Sequence, residues 1–413
     1  SPTKEQESLA FSEKPDWRPE YPLSQHPQYM SVTNYGPTNI SDLFMDRQTI
    51  ALNTFMEFIP EIVEQINDPD YRRAIHSYLV LGVSRLANRQ STSTFWHTTR
   101  ETVEQVFAMQ ALPMRWDTAE GNPFSSSSGN FIGQVEYLTK SVAALPCAEH
   151  PGVERQMDAQ NVDFTGFVVS TDPPYYDNVP YADLSDFFYV WLRKGLAATY
   201  PELFSTMLVP KQEELVADYK RHGGKDEADS FFLEGMTTVM RHMATQGRPD
   251  VPAAIYYAFR QGEVDESGFS VKGWATFLQA IVDAGYSIGA TWPVRTELVG
   301  NLKKNKNALA TSVVMACRPR VADAETVSRV EFIRALRREL PAALKEMHRA
   351  SIAPVDIPQA SIGPGIAIFS RYASVIERDD SPMSVKTALQ IINEELDQYL
   401  SAQEGDFDPE TRF

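Results

Sequence analysis

The chain has 413 residues, 43% hydrophobic and 23% charged, the make-up of a globular protein able to bury a core. Its formal net charge of −17 argues against a protein that coats nucleic acid indiscriminately, because phosphate binding needs local Lys and Arg. Two cysteines, Cys147 and Cys317, and seven scattered histidines supply neither a disulfide framework nor a metal-ligand spacing, so no metal is expected in this chain.

No apolar run reaches the roughly 18–20 residues that span a bilayer. The opening SPTKEQESLAFSEKPDW has neither the basic flank nor the apolar run of a signal peptide, so the expected setting is a reducing cytoplasm. Residues 1–37, rich in Pro, Ser, Gln and Tyr without a period, read as an extended arm or linker. Residues 38–150 read as a helical subdomain. Its first helix runs through SDLFMDRQTIALNTFMEFIPEIVEQI, with Leu43, Ile50, Phe55, Ile59 and Ile62 on one face, Ser41 or Asp42 as N-cap, and Pro60 kinking or dividing it. Further helices are expected over YRRAIHSYLVLGVSRLANRQ, around Thr99–Gln110 and near Ile132–Ala144.

The pattern changes near residue 151. FTGFVVST reads as a buried strand, and VPAAIYYAF, YSIGATWPV and ALATSVVMACRP as three more. KGWATFLQAIVDAG is an amphipathic helix closed by Gly285 at its C′ position. That order, over residues 151–322, fits half of a doubly wound α/β sheet ending in a hairpin. Residues 323–413 form a C-terminal extension: a charged helix, a short strand-like GIAIFSRYASVI and a final helix capped by Ser384.

The first strand ends in Asp172-Pro173-Pro174-Tyr175. Proline has no N–H to give a sheet, so the two prolines must stop the strand and leave an acid and an aromatic ring at its tip. In an open α/β sheet, ligands gather beyond the carboxyl ends of the strands. By average residue usage, such a tetrapeptide arises by chance on the order of once in several hundred chains of this length. The other reading of these residues is a proline-rich turn with a buried tyrosine.

TDPPYY resembles the catalytic motif of AdoMet-dependent methyltransferases that modify exocyclic amino groups of bases. The longer STDPPYYDNVPYADLSDFFYVWLRKGL resembles the large adenine-specific DNA methylases of bacteria and archaea, which often carry a zinc ribbon elsewhere. PKQEELVA, YYAFRQ, TWPVRTEL, NALATSVVMACRPR and IGPGIAIFSRYASVI are similar to the same group in the same order, from about Ser41 to the end. The resemblance implies a partial Rossmann-like AdoMet methyltransferase sheet with a large helical insertion. It implies DNA as partner, other subunits of a restriction or phage-defence system, and no membrane.

The residue types suit that chemistry. The adenine amino nitrogen is a poor nucleophile because its lone pair is delocalised into the ring. Fixed acceptors for its N–H groups draw that pair out of plane and stabilise the positive charge that develops. Asp172 and the Pro173 carbonyl are the acceptors, and Pro173 with Pro174 keeps them still. Tyr175 is the platform for a base swung out of its duplex, with Tyr176 or Tyr181 on the opposite wall and Asn178 ordering the loop. Asp158, followed by Ala159, matches the strand end that holds the adenine amino group of AdoMet; its other reading is an exposed loop aspartate. Arg295 either contacts phosphate or pairs with Glu297, and Lys303, Lys304 and Lys306 either grip phosphates or form a solvated hairpin tip.

One family feature is missing. No glycine-rich loop stands between a strand and a helix: HGGKD lies in a polar connection, and IGPGIA has no strand before it. The chain therefore reads as a piece of a longer protein, its glycine loop lying upstream or on another polypeptide, and as binding AdoMet weakly or not at all alone. The same clamp would also accept cytosine amino groups or RNA. A non-catalytic binding module of methyltransferase-like fold is the reading from a different class.

Overall fold

The computed structural model describes residues 3–26, 29–146, 152–176, 179–257, 272–295, 311–349 and 357–404. It divides into two units, Ser1–Gln156 with Val179–Glu214, and Met157–Asn178 with Leu215–Phe413. The first boundary falls after Gln156, close to the expected change near residue 151. Residues 179–214 join the helical part, because the apolar face of their helix is buried there.

In the first unit, α1 (Lys4–Ser12) starts at a capping box in which Thr3 and Gln6 exchange side-chain and backbone bonds. Then come α2 (Asp46–Val63), α3 (Pro69–Ala87), the antiparallel pair β1 (Phe95–His97) and β2 (Thr102–Glu104), and α4 (Phe131–Ala144). Helix α5 (Tyr181–Leu196) completes the unit and buries Phe187, Val190 and Trp191. Trp191 meets the edges of Trp17 and Phe44 at 5.4 and 5.2 Å. Gly195 lets α5 close on α3, since a methyl there would stand 2.7 Å from Val80.

Three expectations change. Residues 1–37 are not a loose arm: Leu23, Met30 and Val32 are buried, and the segment is tied down by Leu23 N–H to Thr38 O and Ile40 N–H to Tyr21 O, both 2.8 Å. Isolated anchors of this kind leave no period in a sequence. The helix expected around Thr99–Gln110 is instead β2 and turns, where Val103 and Val106 supply the buried side chains. Helix α2 begins at Asp46 after a 3-10 turn over Ile40–Leu43, and Pro60 lies inside it.

The second unit holds β3 (Ser170–Thr171), α6 (Lys225–Gln246), β4 (Ala253–Tyr257), α7 (Lys272–Asp283), β5 (Tyr286–Arg295) and β6 (Thr311–Pro319). Then come β7 (Thr326–Ser328), α8 (Arg329–Arg349), α9 (Ile357–Ser370), β8 (Ser374–Ile376) and α10 (Val385–Glu404). The main sheet has the order β3-β4-β6-β5. Strands β3 and β4 are parallel, and β6 is antiparallel to both its neighbours. This is a mixed α/β protein. Gly285 closes α7 at φ 88, and Ser384 caps α10 by accepting the Thr387 N–H at 3.1 Å, both as expected. No described helix is long and apolar enough to cross a membrane.

FTGFVVST is a much shorter strand than its composition implies. It lies at the sheet edge, where only Ser170 and Thr171 are paired, and Phe167 and Val168 are 64% and 55% exposed. GIAIFSRYASVI is the end of α9 followed by β8, so only its last three residues, Ser374–Ile376, are strand. Packing overrides the low helix propensity of Gly-Pro-Gly here. A methyl on Gly363 would collide with Thr291 of β5, and one on Gly365 with Ile392 of α10. These glycines serve helix approach. Gly363→Ala is expected to cost about 1–3 kcal/mol by overpacking, read as a lower denaturant midpoint with an unchanged slope.

On the outer layer, Arg371 grips Glu339 with bonds of 2.7 and 3.0 Å, and Arg338 adds a third at 2.6 Å. Hydrogen bonding to Arg371 draws the Glu339 carboxyl down to about 2 from an ordinary 4.5. A depressed folded value means stability that is present above 4.5 and lost as the pH falls towards 2. Glu339→Gln should flatten that part of the acid limb, measured as denaturant midpoint against pH.

Candidate functional site

The parallel pairing of β3 and β4 brings their carboxyl ends to one edge of the sheet. Strand β5, antiparallel to β6, ends at that edge too, with Arg295 paired to Thr311. Asp172 follows β3 directly, and the prolines behind it end the ladder.

Asp172 is exposed, while Pro173, Pro174 and Tyr175 are half-buried. The Tyr175 hydroxyl donates to Asp172 Oδ1 at 2.8 Å. Asp172 Oδ2 has no hydrogen-bond partner among the described residues, so one face of the carboxylate remains open to a donor. The Tyr175 ring leans edge-on against Tyr257, with centroids 5.1 Å apart at 65°. Tyr257, buried at the end of β4, stacks on Phe277 of α7 at 4.1 Å and lies 5.4 Å from Trp274. The carboxylate is thus oriented by a phenol that rests on an aromatic column rooted in the sheet.

Tyr176 sits at φ 43, a left-handed conformation unusual for a bulky residue. Its hydroxyl donates to the Asp229 carboxylate, its ring meets the edge of Phe232 at 5.3 Å, and its carbonyl accepts the Ala217 N–H at 2.9 Å.

The residues expected to meet AdoMet stand differently. Asp158 ends no strand, since residues 152–158 are irregular. It caps a 3-10 turn over Ala159–Asn161, accepting the Gln160 N–H at 2.9 Å and the Asn161 amide at 2.8 Å. Ala159 is exposed. HGGKD is a turn and helix start, with Gly223 at φ 82 and Gly224 as the N-cap of α6. Among the described residues no glycine loop joins a strand to a helix. Tyr181, 43% exposed, opens α5 in the first unit. Asn178, Lys303, Lys304 and Lys306 lie outside the described residues.

Asp229, Tyr257 and Gly273 were missed by sequence reasoning. Each is an ordinary residue of a helix or strand, and only the fold brings it to the loop. No group of His, Cys, Asp and Glu among the described residues could hold a metal ion. Cys317 is buried, and burial pushes its thiol up to about 12, so it is no nucleophile at neutral pH. At the opposite edge of the sheet, a cavity of about 10 Å³ bordered by Val169, Ala253, Tyr286 and Cys317 has room for about one water.

The chain matches no family model, no curated protein and no solved structure. A fixed carboxylate with one open oxygen, followed by a rigid Pro-Pro and flanked by aromatic rings, suits a planar ring bearing N–H donors.

Proposed function

We propose that this chain grips an adenine in DNA, swung out of the helix, for AdoMet-dependent methylation of its N6 amino group. The setting would be a restriction or phage-defence system in the cytoplasm. The carrying observation is Asp172: an exposed carboxylate at the carboxyl end of a parallel strand, oriented by Tyr175 and open at Oδ2. Asp172 Oδ2 and the Pro173 carbonyl accept from the amino N–H groups, and the two prolines limit reorganisation as charge develops. Tyr175 and Tyr176 border the base. The finer fold that goes with this reading is a partial Rossmann-like methyltransferase sheet, and the parallel pair β3–β4 followed by the antiparallel strands β5 and β6 supports it.

AdoMet, when bound, supplies an activated methyl. The fit of the described residues to it is partial: Asp158 alone is a candidate holder, and both its oxygens already accept bonds from its own turn. This chain contributes the half that holds the base.

Incubating the protein, expressed from its native gene, with labelled AdoMet and duplex DNA should place label in DNA. Digestion to nucleosides should give N6-methyladenine. N4-methylcytosine, or label in RNA instead, would move the acceptor and keep the clamp; absence of label from all of them overturns the reading. The occupied oxygens of Asp158 favour a second reading, a non-catalytic nucleic-acid or partner-binding module. A calorimetric titration of AdoMet into the same protein, expressed from its native gene, that stays silent would select it.

A further inference from the structure

We propose that Asp229 on α6 is a positioning residue that acts through Tyr176 to hold the Asp172–Tyr175 loop in its acceptor geometry. The inference rests on the base-gripping reading above. Tyr176 is the next residue after the acceptor loop, and its backbone is held where a bulky side chain costs free energy. Such a conformation persists only when its surroundings over-determine it.

Four holds do so. The Asp229 carboxylate accepts the Tyr176 hydroxyl, Phe232 supports the ring, and the Ala217 N–H binds the carbonyl. The fourth is Gly273 in the first turn of α7, where a methyl would stand 3.0–3.1 Å from three Tyr176 atoms. Two helices and the 217 segment thus converge on a residue one bond away from Tyr175, whose hydroxyl orients Asp172. Of the four, the Asp229 bond is the one that an exchange of a single oxygen can remove.

The test pairs two readouts on Tyr176→Phe, Asp229→Ala and their double variant. The first is hydrogen exchange at the Ala217 amide, which reports directly on the Tyr176 carbonyl. Each single variant should speed it by at least about tenfold, with no further gain in the double. Asp229→Asn, which keeps an acceptor oxygen, should restore much of the protection. The second is methyl-transfer kinetics: kcat should fall by about 10–100-fold with KM for DNA little changed. Tyr176→Phe keeps the ring on Phe232, so it decides the matter if Asp229→Ala fails to fold. Unchanged exchange in Tyr176→Phe, or additive losses in the double, overturns the positioning role. Faster exchange in a protein that transfers no methyl group leaves positioning standing and defeats the functional reading instead.

Discussion

Asp172→Ala is expected to lower methyl transfer to DNA by about 10²–10³-fold, the effect of removing one preorganised electrostatic partner from a reaction centre. The side chain is exposed and makes its one described hydrogen bond to Tyr175, so its loss removes little packing. Folding should therefore be unaffected, and circular dichroism and the denaturant midpoint check that. DNA binding should weaken far less than turnover, because the interaction strengthens only as charge develops on the amino nitrogen. Asp172→Asn keeps one acceptor oxygen and should lose less. Tyr175→Phe removes the 2.8 Å bond that aims the carboxylate while keeping the ring against Tyr257, and should fall between wild type and Asp172→Ala. A rate in Asp172→Ala within a few-fold of wild type would remove the basis of the functional reading.

The largest stability effect is expected in the first unit. Asp186 on α5 is buried; it accepts the Val209 N–H at 2.9 Å and Lys211 Nζ at 2.7 Å. Lys211→Met strips the cation from that carboxylate and should cost about 3–5 kcal/mol, the penalty for leaving a buried charge uncompensated. Burial raises the Asp186 carboxyl above its ordinary 3.8, with Lys211 pulling in the opposite direction. A raised folded value means stability that is full below 3.8 and declines as the pH climbs through the folded value. Without Lys211 that folded value rises further. The deficit of Lys211→Met against wild type should therefore shrink in acid and widen towards neutrality, measured as denaturant midpoints across pH. Adding Asp186→Asn should recover much of the loss. An additive double variant would show that Lys211 acts elsewhere.

Local signals were legible where the residues themselves carry the physics. The prolines at 173 and 174 stop β3, the left-handed Gly285 ends α7, and Ser384 caps α10; each is a short-range effect visible in a few letters. The helix expected at Thr99–Gln110 and the strand expected over the first part of GIAIFSRYASVI failed for the opposite reason. Their apolar residues fit either period, and burial in a particular place chose between them. The long strand expected over FTGFVVST failed because pairing depends on neighbours: at the sheet edge only Ser170 and Thr171 are in register with a strand.

The candidate site divides in the same way. An acid, two prolines and an aromatic ring at a strand tip were determined by the sequence alone, since proline's missing donor and fixed torsion act wherever they occur. That Tyr175 turns its hydroxyl onto Asp172, that Tyr257 supports it, and that Asp229 secures Tyr176 was decided only by the tertiary structure. Tyr257 and Asp229 stand 82 and 53 positions away from the tyrosines they hold, although Tyr175 and Asp172 are only three apart. Covalent constraints act over a few neighbouring residues, whereas hydrogen bonds and ring contacts between distant segments exist only once the sheet and its helices have assembled.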